Sequence, residues 1–192
     1  SVAAVNGPAA VVVSGAEDAV EDVAARVAAL GRRTRRLRVS HAFHSPLMDP
    51  MLEEFRAVVA GLSPQAPTVP VVSNLTGAPA TVEQLTSADY WTDHVRHAVR
   101  FADGVSWLAG HGTGLFLELG PDATLAALTR AVLDAAGHER AAVLPALRKD
   151  RPEAATLTET ATGLHLRGVP VRWHRWFEGT GADHTDLPTY AF

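Results

Sequence analysis

The sequence predicts a mixed α+β and α/β chain: a small α+β unit over residues 1–75, part of an α/β unit over 76–147, and an extended linker over 148–192. Three observations carry this. By hydrophobic period, the first seventy-odd residues run strand, strand, helix, strand, helix, strand. From Thr81 to Leu147, helical stripes alternate with two short apolar runs. After Arg148 one helical pattern gives way to a polar stretch containing Gly and Thr, flanked by aromatics.

In the first unit, Val2–Val5 and Ala10–Val13 read as short strands separated by the turn Asn6-Gly7-Pro8. Ser14-Gly15-Ala16-Glu17 has capping-box spacing and opens a helix, whose Val20, Val23, Val27 and Leu30 form one buried stripe up to a stop at Gly31. Arg35–Val39 alternates, Leu37 and Val39 to one face and Arg36 and Arg38 to the other, as in a half-exposed strand. The five arginines of residues 32–38 read either as a solvated edge that resists strand addition or as a docking surface for an acidic partner. Asp49-Pro50 supplies a cap and a first-turn proline for a helix striped by Met51, Phe55, Val58 and Leu62, and Val69–Ser73 is the next strand. A split β-α-β, ferredoxin-like arrangement fits this order.

In the second unit, Thr81-Val82-Glu83-Gln84 is another capping box, Tyr90–Val95 continues helically, and Phe101, Val105 and Leu108 stripe a further helix. Leu115–Leu119 is a buried strand. Leu125, Leu128 and Val132 stripe a helix closed by Gly137, and Ala142–Leu147 is one more strand. Such alternation implies a parallel sheet, and two strands are too few to stand alone. A helix carrying Leu157, Ala161 and Leu164 then ends at Gly168. Trp173, Trp176, Phe177, Tyr190 and Phe192 follow in a stretch with little regular structure, which suits docking onto another surface.

Composition narrows the functional classes. With 192 residues, 47% hydrophobic and 20% charged, the chain has the makeup of an ordinary globular core. The absence of cysteine excludes disulfides, thiolate nucleophiles and cysteine-based zinc sites, and fits a reducing cytoplasm. A net charge of −4 argues against general nucleic-acid binding, and no apolar run approaches membrane-spanning length. With neither an initial Met nor a leader pattern at Ser1–Val5, the chain reads as part of something longer.

The candidate chemistry lies in Val39-Ser40-His41-Ala42-Phe43-His44-Ser45-Pro46, where a strand-like run passes directly into a helix start. An imidazole there is held from both sides, and with an ordinary pKa of about 6.5 it can take a proton from a hydroxyl and return it to a leaving group. His44 is therefore a candidate general base, set against the alternative of a hydrogen-bonded structural histidine. His41/His44 and His94/His97 have i,i+3 spacing, but a zinc site needs a third ligand and supporting groups that the sequence does not specify, so no metal is expected. Gly110-His111-Gly112-Thr113-Gly114 precedes a strand and reads as a turn, not as a phosphate loop. No Gly-x-Ser-x-Gly occurs, so the chain has a base without an evident nucleophile.

Ala3-Ala4-Val5-Asn6-Gly7-Pro8, Ser40-His41-Ala42-Phe43-His44-Ser45, Ser73-Asn74-Leu75-Thr76-Gly77, Phe116-Leu117-Glu118-Leu119-Gly120-Pro121 and Leu187-Pro188-Thr189-Tyr190-Ala191-Phe192 resemble, in order, the acyltransferase domain of a modular type I polyketide synthase. The resemblance implies that 1–75 is most of the ferredoxin-like small subdomain, 76–147 a return to the α/β hydrolase-like large subdomain, and 148–192 the linker after it. It implies that His44 activates a serine lying upstream in a Gly-His-Ser-x-Gly motif outside this chain, and that a backbone carbonyl near Arg100 orients His44. It further implies that His41, Ala42 and Phe43 set extender selectivity in the malonyl form, since methylmalonyl-selective members carry Tyr-Ala-Ser-His there. No cofactor is expected in the chain itself: malonyl-CoA is the substrate and phosphopantetheine is carried by a partner. The implied partners are the remaining acyltransferase part, a ketosynthase domain and an acyl carrier protein, within a cytoplasmic, homodimeric synthase. The competing reading is a non-catalytic scaffold piece that positions neighbouring domains.

Overall fold

The computed structural model describes residues 1–183, 185–186 and 188–189. It is a mixed α/β chain forming two compact units: one holds residues 1–118 and 124–143, the other 119–123 and 144–192.

The larger unit opens with β1 (Val2–Gly7) and β2 (Ala10–Val13), an antiparallel hairpin in which Val2 faces Val13 and Gly7 faces Ala10. Helix α1 (Glu17–Ala29) follows, and a 3₁₀ helix (Pro46–Met51) runs into α2 (Leu52–Leu62). Then come α3 (Val82–Thr86), α4 (Ala88–Arg96) and α5 (Phe101–Gly110). Beyond these, β3 (Leu115–Glu118) pairs with β4 (Ala142–Pro145), with α6 (Thr124–Ala135) between them in the chain. The core lies where α5 and α6 meet. Val105, Ala109, Val132 and Leu133 are buried there against Phe101, Phe116, Ala141 and Val143. Burying a side chain such as Leu133, wholly inaccessible, contributes about 1.5–3 kcal/mol.

Two connections position the functional region. Val99 bridges β1 in parallel, Val5 N–H donating to Val99 O at 2.8 Å and Val99 N–H to Ala3 O at 2.9 Å, so the chain leaving α4 is fixed to the hairpin. The capping box at Thr81 forms as the sequence predicts, Gln84 N–H donating to Thr81 Oγ1 and Thr81 N–H to Gln84 Oε1. Ser87 then ends α3 and caps α4 through Asp89 N–H, dividing what the pattern suggested as one helical run.

Other elements depart from expectation. Neither Arg35–Val39 nor Val69–Ser73 forms a strand; the second contributes only an isolated bridge, Val72 to Pro79. Alternation sets side-chain direction, but a strand also needs a partner ladder, and none is present among the described residues. Arg36 instead reaches Glu17 and Glu21 on α1. The cap of α1 is Ala16, without a side-chain bond, and no residue of α1 is fully buried; Val20 and Val27 are half-buried and Val23 is exposed. Asp49 does not cap α2. Ser45 caps the 3₁₀ helix, and Pro50, lacking an N–H, delays the α-helical ladder to Leu52. On α2 the buried residue is Val59, while Val58 and Leu62 are exposed.

In the smaller unit, α7 (Glu153–His165) buries Ala161 as expected, but with Thr156 and Thr160 in place of the leucines, Leu157 being exposed and Leu164 half-buried. Their hydroxyls remain satisfied: Thr160 donates to Pro145 O at 2.7 Å and Thr156 to Pro152 O at 2.9 Å. Trp173–Trp176 forms a one-turn helix α8, with Trp173 edge-on to His165 at 5.6 Å. Of the predicted docking aromatics, Phe177 is exposed, and Tyr190 and Phe192 lie outside the described residues. Among the described residues no helix is long and apolar enough to cross a membrane.

Candidate active site

The site is built on the turn between residue 40 and the 3₁₀ helix. Ser45 is fully buried; its hydroxyl donates to Ala42 O at 2.7 Å and accepts from Leu47 N–H at 3.2 Å, closing the turn and capping the helix together. This holds His44 at φ 61°, the left-handed region that a side-chain-bearing residue enters at a cost of about 1–2 kcal/mol. Such a backbone state persists only when its surroundings fix it. Here they do. His44 N–H donates to Val95 O at 3.1 Å, and its ring Nδ1 lies 2.7 Å from His97 O.

The second contact sets the ring's chemistry. A carbonyl oxygen only accepts, so Nδ1 carries the hydrogen and Nε2 presents its lone pair, the form a general base requires. The carbonyl in this position is that of His97, and not that of Arg100, the position named from the sequence. Arg100 O instead accepts from Gly104 N–H as the first carbonyl of α5, and its guanidinium pairs with Asp103 at 2.7 Å. A backbone acceptor leaves no side-chain signature, so no residue type in the sequence marks His97.

The other motif residues gather around the same imidazole. Phe43, 46% exposed, has its ring 6.4 Å from that of His44, and His41 stands edge-on to Phe43 at 6.0 Å. Ala42 supplies the carbonyl that Ser45 holds. From α4, His94 approaches His44 edge to face at 6.5 Å, with Tyr90 at 6.2 Å and Trp91 at 6.0 Å from its own ring. Burial, and then the neighbouring His44, hold His94 below the ordinary imidazole value.

Helix α4 carries His94 and the Val95 carbonyl, its C-cap His97 supplies the other carbonyl that grips His44, and the helix is anchored by groups that the periodicity did not single out. Tyr90 hydroxyl donates to the buried Ser73 Oγ at 2.6 Å, and Ser73 Oγ also accepts from Leu75 and Thr76 N–H. Arg96 Nε meets Asp49 on the 3₁₀ helix at 2.5 Å. Asp and Arg 47 positions apart, on separate elements, give no local pattern to read. Among the described residues no group of three or more His, Asp or Glu side chains is arranged to hold a metal ion.

A histidine held in this tautomer at a rigid turn has a ring nitrogen able to accept a proton, and comparison with known proteins gives the chain a family. Residues 1–171 match the family model described as acyl transferase domain. The chain belongs to this family, in the branch found in polyketide synthases. It is 52% identical over its whole length to Polyketide synthase GfsA of Streptomyces halstedii, and 48% identical to Mycoketide-CoA synthase of Mycobacterium tuberculosis. It spans 2% and 4% of those proteins. Among solved structures, the acyltransferase domain from the second module of the salinomycin polyketide synthase is 52% identical, with a TM-score of 0.86 over all of this chain and 44% of its own. The acyltransferase domain of SpnD, solved in complex with 2-(pent-4-yn-1-yl)malonyl, is 38% identical, with a TM-score of 0.82 over 88% of this chain and 41% of its own. A type II polyketide malonyl-transacylase in complex with its acyl-carrier protein is 26% identical, with a TM-score of 0.69 over 83% of this chain and 48% of its own.

Proposed function

We propose that this chain supplies the general base and one wall of the acyl pocket of an acyltransferase that moves a malonyl group from coenzyme A, through a serine outside this chain, to the phosphopantetheine thiol of an acyl carrier protein. The observation that carries the reading is His44, held in the base tautomer by the His97 carbonyl. His44 Nε2 takes the serine proton as the serine oxygen attacks the thioester carbonyl. The tetrahedral intermediate collapses with expulsion of the coenzyme A sulfur, which leaves with the proton from His44. The carrier thiol then repeats the sequence on the acyl-serine, giving up its proton to His44, which returns one to the serine oxygen. The carrier-protein partner is supported by the transacylase solved with its carrier, and the malonyl class of substrate by the malonyl derivative held by the SpnD domain. The division at residues 75 and 147 into small subdomain, large subdomain and linker belongs to the same reading.

Selectivity for malonyl rests on Phe43. Its half-exposed ring stands beside His44, and in this reading it takes up the volume that a 2-methyl branch needs. A methyl group in such a pocket discriminates by about 1–3 kcal/mol. The test is a competition assay on the complete domain with malonyl-CoA and methylmalonyl-CoA together. His41→Tyr with Phe43→Ser raises the methylmalonyl share of the acyl groups loaded, while an unchanged ratio removes Phe43 from the pocket. The 192-residue chain alone, a base without its nucleophile, transfers no malonyl group.

A further inference from the structure

His94 has no place in the mechanism above, yet it is the ring from α4 that reaches His44. It sits among Tyr90, Trp91 and His44, with ring separations of 6.0 to 6.5 Å, and the Nδ1 of His44 is bonded one turn further along, at His97 O. The ionisable groups on the elements around it are directed elsewhere. Asp93 lies 3.9 Å from His97, Asp49 of the 3₁₀ helix is held by Arg96, and Asp89 is held by Arg56 of α2. Glu53 and Glu54 are exposed in the first turn of α2, as is Glu83 in the first turn of α3, and Tyr90 gives its hydroxyl proton to Ser73. Among the described residues no carboxylate hydrogen bond or ion pair is made to His94.

We propose that His94 is a second, positioning imidazole of the active site, whose ring must be uncharged for His44 to accept the serine proton. The inference rests on His44 acting as general base. When His44 takes that proton it becomes a cation, and a charge already on His94 opposes it. At this separation, with an effective dielectric constant of about 20, the opposition amounts to roughly 50–100-fold in rate. A neutral His94 places no charge beside the imidazolium that forms. Burial favours that state, since it already holds the His94 proton affinity down.

The experiment measures acylation by malonyl-CoA in the complete acyltransferase domain, as kcat/KM against pH. In the parent, the acid limb steepens from about tenfold toward about a hundredfold per pH unit as both rings titrate. In His94→Asn and in His94→Phe it stays at about tenfold, a change that purely structural damage does not produce. A parent limb of tenfold throughout, or variants as steep as the parent, overturns the proposal. A second reading does not depend on turnover. Imidazole NMR of the same domain follows His94 with His44 present and after His44→Ala. His94 titrates at higher pH once His44 is gone, and an unmoved His94 curve overturns the coupling. If the NMR coupling is present and acylation is absent with every acyl-CoA, it is the transacylase reading that fails.

Discussion

The bond between Tyr90 and Ser73 carries a prediction that distinguishes a buried polar anchor from ordinary packing. Ser73 is 1% exposed and Tyr90 7%, so neither oxygen has water as a substitute partner. Ser73→Ala removes the acceptor of three donors: the Tyr90 hydroxyl and the Leu75 and Thr76 N–H groups. An orphaned buried hydroxyl costs about 1–3 kcal/mol, and the lost turn bonds add about 1, giving roughly 3 kcal/mol in all. Tyr90→Phe removes the donor, while Ser73 Oγ keeps its two backbone partners, and costs about 1 kcal/mol. The double variant has no orphaned hydroxyl and falls near 2 kcal/mol, more stable than Ser73→Ala alone. Urea unfolding of the complete domain, followed by tryptophan fluorescence, gives the four midpoints of this cycle. Additive single effects, or a Tyr90→Phe loss equal to that of Ser73→Ala, would refute the assignment of Ser73 as the shared acceptor.

Further outcomes follow from other sites. Gly77→Ala destabilises by about 2–4 kcal/mol in the same unfolding assay: φ is 72°, and the new Cβ would stand 2.6 Å from Asp103 Cβ, so both backbone strain and overlap oppose it. A loss below about 0.5 kcal/mol would show that the turn relaxes freely. His44→Ala lowers acylation by the complete domain by roughly 10²–10⁴-fold with the fold intact, and near-parent rates would make His44 structural. For His94, the folded value lies below the unfolded one of about 6.5, so between them the unfolded chain binds more protons and stability rises with pH. The His94 contribution is therefore present above about pH 6.5 and lost as pH falls through the lowered folded value. Thermal melts from pH 7.5 down to 5 should show that loss reduced in His94→Asn.

Legibility in the sequence followed the range of the interaction. The β1–β2 hairpin, turning at Pro8-Ala9 just after the expected Asn6-Gly7, the Thr81 capping box and the order β3, α6, β4 rest on neighbours within a few residues, and all appear in the structure. The His44 motif was readable for the same reason. Arg35–Val39 was not, because its alternation specifies a face but supplies no partner for its backbone. The atoms that complete the site come from afar: the Val95 and His97 carbonyls lie more than fifty residues from His44, and carbonyls carry no residue identity. Glu118 is a similar case. It lies in the Phe116–Pro121 motif, but only the fold shows its carboxylate accepting from Leu125 and Ala126 N–H, at the start of α6.

The left-handed backbone of His44 bears on how this domain responds to engineering. Glycine occupies that region more readily than histidine, so His44→Gly relieves a local strain of about 1 kcal/mol, while the ring bond to His97 O that is lost is worth about as much. A library screened for heat resistance alone would therefore exert little pressure to keep the imidazole on which the proposed function rests. Screens for robust variants of this domain need an activity gate at His44, and replacements that raise the melting temperature there are a warning and not an improvement.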